Sequence, residues 1–288
     1  EGRENHHRER DARADDEPWT VTASDTCPQP TFELGPPIPQ WRMPSLERSA
    51  GSFEIAFPEF GTIKVGESSI VVSSESTDKA SEVWARYGAW ARAQWWASKG
   101  CLVLTGAAVG RGGKGIAIVG PTRVGCSVTA LQLTRHRFGL VSDGFAVIGP
   151  DGRLIKGLDG VSVDRQVGEK LFSDYSSQPK RSGRDRVTVE GPGHGDAELA
   201  FCIVLSVRSG VTGVKVVQVA DFPKIVKRLT LEPLLRVSGP TVTPEQFEPT
   251  SLGLWSVSRA APESLEELRL CGPQAVARAI AGLISGDD

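Results

Sequence analysis

The segment 115–133, GIAIVGPTRVGCSVTALQL, constrains the fold of this chain more than any other stretch. Its apolar run 116–119 is typical of a buried strand and leads directly into Gly120. Gly125 follows five residues later and precedes a segment, 127–134, with the composition of a helix. A strand that enters a helix through a glycine-bounded loop turns successive backbone N–H groups toward one point. The segment therefore predicts an anion-binding loop at a helix N-terminus.

The glycine spacing matches the phosphate-binding pattern G-x-x-x-x-G-K-[ST], except that Cys126 occupies the lysine position. Ser127 stands where the hydroxyl of that pattern binds Mg²⁺. The missing lysine normally bridges two phosphates and withdraws charge during transfer, which a neutral thiol cannot do. Arg123 lies inside the loop and is the candidate to replace that charge. Lys114 lies about 20 Å away, at the far end of the strand, and is a poor candidate.

Periodicity and turn residues around this segment predict further strands and one long helix. The helix is expected to begin with Asp78 as its N-cap and to run to about Ser98, with Gly100 just beyond its end. Its tryptophans are interpreted as core residues. Strands are predicted at 53–57, 61–65, 68–72, 101–109, 114–120, 138–149, 198–207 and 213–219.

The C-terminal part is predicted to be helical, with helices at 223–235 and 263–284 and a break at Gly272-Pro273. The region 155–198 is polar and glycine-rich. Strands interspersed with few helices indicate a mixed α/β fold with a mixed β-sheet and a helical C-terminus. Residues 1–50, which are charged and then proline-rich, are predicted to form a disordered tail, and residues 51–288 to form the folded domain.

Composition excludes several functional classes. The net charge of −2 over 288 residues gives no indication of nucleic-acid binding. No apolar run approaches the length of about 20 residues that spans a bilayer, so no membrane association is expected. The five cysteines form no C-x-x-C pair, and a reducing, cytoplasmic setting is expected.

Residues 100–148 resemble the catalytic core of the HPr kinase/phosphorylase family, whose fold is related to that of phosphoenolpyruvate carboxykinase. The matching blocks are L-T-G at 104–106, G-P-T-R-V-G-C-S at 120–127, V-T-A-L-Q-L at 128–133 and L-V-S-D-G at 140–144. The resemblance implies a P-loop strand–loop–helix within a mixed sheet. It also implies ATP and Mg²⁺ as ligands, with Ser127 and Asp143 at the metal. It further implies a phosphate cradle formed by Gly120, Arg123, Val124, Gly125, Cys126, Ser127 and Val128.

Three catalytic positions of the family have changed. The family's active-site histidine falls on Thr105, the loop lysine on Cys126 and the second of two paired acids on Gly144. Only Asp143 remains as a catalytic acid or base, although an Asp-Gly pair after a buried strand can also simply cap a turn. Loss of one charge-stabilising donor costs on the order of 10²–10³ in rate.

Three functions follow from this pattern. The first is a degenerate kinase-like protein that binds or scaffolds a protein or peptide in a bacterial biosynthetic or regulatory pathway, with oligomer formation possible. The second is an active ATP-dependent phosphotransferase on a Ser/Thr hydroxyl of a protein, peptide or small molecule. There Arg123 would replace the lysine, Ser127 would hold Mg²⁺ and Asp143 would be the base. The third is an activity of Cys126 itself, because thiol pKa values fall at helix N-termini.

Overall fold

The computed structural model describes residues 27–35, 45–49, 52–57, 60–121, 124–157, 160–175, 177–179, 186–208, 214–218, 253–260 and 265–285. Over these residues the protein is mixed α/β, with a large mixed sheet and a C-terminal helix, as predicted. Among them, no helix is both long and apolar enough to cross a membrane.

A five-stranded sheet forms the N-terminal part, in the order β1-β5-β4-β3-β2. Its strands are β1 (Pro30–Leu34), β2 (Ser45–Ser49), β3 (Ser52–Phe57), β4 (Gly61–Gly66) and β5 (Ile70–Ser74). The last three confirm the predicted short strands. However, β1 pairs in parallel with β5, and β2 pairs in antiparallel fashion with β3. Two stretches of the predicted tail are therefore strands of this sheet. β5, distant in sequence, supplies the hydrogen-bond partners of β1, and the adjacent β3 supplies those of β2.

Helix α1 (Thr77–Ser98) packs between this sheet and the large one. Val83 and Ala91 are fully buried, and the tryptophans pack in the same core, as predicted. Gly100 has φ +77, which fits the expected left-handed residue beyond the helix end. The predicted N-cap is wrong, because the side chain of Ser76, rather than that of Asp78, accepts the N–H of Lys79 at 3.2 Å.

The large sheet has seven strands in the order β14-β15-β13-β7-β6-β8-β9. They are β6 (Leu102–Arg111), β7 (Lys114–Val119), β8 (Gly139–Ile148), β9 (Arg153–Leu154), β13 (Ala197–Arg208), β14 (Val214–Gln218) and β15 (Gly253–Ala260). β7, β13 and β15 run parallel to one another. Their carboxyl ends therefore meet at one edge, where β7 enters the glycine loop.

The large sheet also curls back on itself. β9 pairs both with β8 and with the start of β13, so that five strands, β13-β7-β6-β8-β9, form a closed circuit. One buried apolar cluster consists only of residues from these five strands, including Leu104, Val119 and Cys202. Gly106, with φ +158, permits the close approach of β6 to β7, because a β-carbon there would overlap the carbonyl oxygen of Ile118.

Helix α2 (Cys126–Thr134) packs on the outer face of this sheet, and helix α4 (Leu265–Ser285) packs against α2. The predicted break at Gly272-Pro273 is wrong, since α4 continues through Pro273. A proline inside a helix costs roughly 3 kcal/mol. Burial of Pro273, Val276, Ala277 and Ile280 against the core offsets this cost.

Two further regions differ from the prediction. The polar region 155–198 contains a small sheet of β10 (Val161–Asp164), β11 (Ser177–Pro179) and β12 (Arg186–Val189), together with helix α3 (Arg165–Leu171). The C-terminal part contains β15, which the sequence interpretation missed. The predicted helix 223–235 lies outside the described residues.

Candidate functional site

The glycine loop joins β7 to α2 as the sequence predicts, and Gly120 opens it. The backbone N–H of Gly120 donates to the carbonyl of Thr105 on β6 at 3.3 Å. A β-carbon at Gly120 would lie 2.8 Å from the Val124 side chain and 2.9 Å from the carbonyl oxygen of Leu205. Only glycine allows the loop to close this tightly over the end of β13.

Gly125 is the N-cap of α2 and adopts φ +105 and ψ 20, in the left-handed region. Glycine enters this region without the penalty that a β-carbon brings. It supplies no side chain to cap the helix. The N–H groups of the first helical turn are therefore left for other acceptors.

Cys126 is the first residue of α2 and is only 8% exposed. Burial, together with the negative charge of Asp143, raises the pKa of its thiol from 9.0 to about 12, while its own backbone N–H acts weakly in the opposite direction. At neutral pH the thiol is therefore protonated and shielded from solvent. These properties oppose a reactive thiolate at this position, despite the helix N-terminus.

Asp143 lies in the middle of β8, where it pairs with Ala107 of β6. The turn-capping interpretation is therefore wrong. Its Oδ2 accepts the backbone N–H of Ser162 at 3.1 Å, which ties β8 to β10 of the small sheet. Since its charge affects the thiol of Cys126, the fold brings Asp143 close to the start of α2.

The other predicted site residues lie around the same helix start. Val124 is buried, while Ser127 and Val128 are half-buried, and Arg123 lies outside the described residues. Of the altered catalytic positions, Thr105 is half-buried beside the loop, and Gly144 is exposed with φ +81. Lys114 is exposed at the opposite end of β7, as expected.

Mg²⁺ prefers six oxygen ligands in octahedral geometry and usually takes one or two from protein carboxylates, with waters and substrate phosphates completing the set. The candidate ligands are the hydroxyl of Ser127 and the carboxylate of Asp143, and the Oδ2 of that carboxylate already accepts the Ser162 N–H. Within the described ranges, no group of three or more His, Cys, Asp or Glu side chains is placed to hold a metal ion.

Helix α4 closes one side of the loop. Pro273 Cγ would lie 3.6 Å from a β-carbon on Gly125. The crevice beside Pro273 has no room for a water molecule. It is lined by Val124, Thr129, Leu205, Ser206, Val257, Pro273 and Val276.

Sequence reasoning missed two contacts of this site, that of Pro273 with the loop and that of Ser162 with Asp143. Both partners lie in segments with no local signal of proximity, one in the predicted helix break and the other in the polar region. His194 lies beside Gly110 of β6. A β-carbon there would be 2.8 Å from its ring.

No family model matches the chain, and no curated protein matches it significantly. The resemblance to HPr kinases therefore stays a prediction, carried by the sequence blocks quoted above.

Proposed function

We propose that this protein is a degenerate, non-catalytic relative of the HPr kinases that binds or scaffolds a protein or peptide partner. The observation that carries the proposal is the state of Cys126. A buried, neutral thiol stands at the helix position where a phosphotransferase of this type needs a mobile cation.

Electrostatics at the start of α2 support the same proposal. After burial, the charge of Asp143 is the second cause that raises the pKa of the Cys126 thiol, and it disfavours a further negative charge at this point. A nucleotide triphosphate would add several negative charges. Arg123 is the single cationic residue in the loop sequence 120–125, so the loop supplies at most one positive charge against them.

Crowding around the loop is the third support. The side chains of Val124, Pro273 and Val276 fill the space between α2 and α4. Ligand sites are usually open clefts of several hundred Å³. The crevice between α2 and α4, by contrast, has no room even for a water molecule.

Titration with ATP and Mg²⁺, followed by calorimetry and thermal unfolding, tests the proposal. We expect no heat of binding and no stabilisation of the wild type. A nucleotide at a hundredfold excess over its Kd would instead raise the free energy of unfolding by about 2.7 kcal/mol.

Two variants sharpen this experiment. Cys126→Lys restores the cation and is expected to bind the nucleotide, whereas Cys126→Ala removes the thiol without adding charge and is expected not to. The nucleotide titration of the wild type tests the proposal by itself, even if Cys126→Lys fails to fold. ATP-dependent phosphorylation by the wild type that Asp143→Asn abolishes would establish the active-kinase alternative and overturn the proposal.

A further inference from the structure

The outer edge of the large sheet is a second feature with a functional consequence. Strand β14 is the terminal strand on this side, and among the described strands it pairs only with β15. In an antiparallel pair, every second residue of an edge strand directs its N–H and C=O away from its neighbour. No other described strand uses these outward groups of β14, and they are the backbone donors and acceptors that an additional strand would bind.

The side chains of β14 divide between the two faces of the sheet. Val214 and Val216 are half-buried and pack against the main core, while Lys215 is exposed and Val217 is 45% exposed. Natural sheets protect an edge with short strands, charged side chains (above all lysine), prolines or bulges. The sequence VKVVQ has no proline, and Lys215 is its single charge, so an added strand must accommodate this lysine.

Helix α4 contacts β14, and its C-terminal part adds an apolar surface, which we call the α4 shelf, on one face of the sheet near this edge. Its C-terminal residues Ala281, Leu283 and Ile284 are half-buried and pack against the same core as Val214 and Val216. A strand added beside β14 would lay alternate side chains over this shelf, because successive side chains of a strand point to opposite faces.

The charge on the face of β14 opposite the α4 shelf determines which side chains an added strand would carry there. β14 carries Lys215 on this face, and neither β14 nor β15 contains an acidic residue. Lys215 is paired in register with Ser258, and no carboxylate of β14 or β15 balances it. An incoming strand with acidic side chains on this face would gain complementary charge.

We propose that the partner supplies an extended segment of alternating apolar and acidic residues, which adds to β14 as an eighth strand of the sheet. Its backbone would bind the edge, its apolar side chains would cover the α4 shelf, and its acidic side chains would face Lys215. This inference rests on the proposed function, since it specifies the kind of partner that a non-catalytic binding protein would take.

A fluorescent heptapeptide of alternating valine and glutamate, titrated by anisotropy, is a suitable probe. It is expected to bind the wild type and to bind Lys215→Glu about tenfold more weakly. Lys64→Glu is the matched control, because Lys64 is likewise an exposed strand lysine but lies on β4 of the other sheet. This control is expected to leave binding unchanged.

A second peptide, N-methylated on alternate backbone nitrogens, separates strand addition from simple charge attraction. It keeps every side chain but loses edge hydrogen bonds, so its binding is expected to disappear. Equal binding of both peptides, equal loss in both lysine variants or no binding of the first peptide would overturn the inference.

A concentration-dependent dimer that Val217→Lys dissociates would also overturn it, by making a second copy the occupant of the edge. None of these outcomes depends on ATP. Failure of the edge experiment is therefore distinguishable from failure of the proposed function, which the nucleotide titration alone decides.

Discussion

The carboxylate of Asp143, on strand β8, lies close enough to the thiol of Cys126, on helix α2, to help raise the pKa of that thiol to about 12. Burial contributes most of the shift. The two residues belong to different sequence blocks and meet only because β8 pairs with β6, which in turn pairs with β7. The start of α2 thus combines a neutral thiol with a negative charge.

The first prediction concerns stability at alkaline pH. The folded state retains the Cys126 proton up to about pH 12, whereas the unfolded chain loses it near pH 9.0. The stabilisation is fully present below pH 9 and is lost as pH rises toward 12, because the unfolded state ionises first. Thermal unfolding between pH 9 and 11.5 should therefore show a steeper fall in Tm for the wild type than for Cys126→Ala. Identical slopes would mean that the thiol ionises as easily in the folded protein.

The second prediction isolates the contribution of Asp143. Asp143→Asn removes the charge but keeps an acceptor for the Ser162 N–H, so alkylation of Cys126 should begin at a lower pH than in the wild type. Mass spectrometry of iodoacetamide adducts across pH 7 to 11 measures this onset. Asp174→Asn is the control, since Asp174 pairs with Arg135 on the surface. If the pH at which alkylation begins moved equally in Asp143→Asn and Asp174→Asn, the effect on Cys126 would not be specific to Asp143.

The third prediction compares two glycines that face each other across β6 and β8. Gly144 has φ +81 and open space around its β-carbon position, so Gly144→Ala should cost about 1–2 kcal/mol, from backbone strain alone. Gly106→Ala should cost considerably more, because its β-carbon would also overlap the Ile118 carbonyl. Urea denaturation measures both. Equal losses would contradict the close packing of β6 against β7.

A third variant, Gly144→Asp, belongs to the same comparison of unfolding free energies. It places a carboxylate where the resemblance to HPr kinases predicts a second acid, at a position with room for the side chain. We expect it to fold with a loss similar to that of Gly144→Ala. Complete failure to fold would mean that the position is closed to any side chain.

The fourth prediction tests the N-terminus of α1. Ser76→Ala removes the acceptor for the Lys79 N–H and should cost about 1 kcal/mol. Asp78→Ala removes only a first-turn charge and should cost less, about 0.3–1 kcal/mol. The free energy of unfolding from urea titrations distinguishes them, and the reverse order would restore Asp78 as the cap.

Local pattern alone was sufficient for the strand–loop–helix at 114–134, for the bounds of α1 to within a few residues and for most of the long strands. These elements depend on side-chain periodicity and on glycines whose conformations only glycine adopts easily. The sequence also placed Cys126 and Asp143 in distinctive blocks. It could not indicate that one would alter the ionisation of the other.

Tertiary structure decided everything that depends on partners distant in the chain. Strands β1 and β15 have weak local signals and exist because β5 and β13 supply their hydrogen bonds. The closure of the sheet by β9 and the passage of α4 through Pro273 likewise depend on packing that outweighs local preference. Periodicity shows which face of a segment is apolar. Strand pairing and burial depend on the other segments that pack against it, and no single stretch of sequence contains that information.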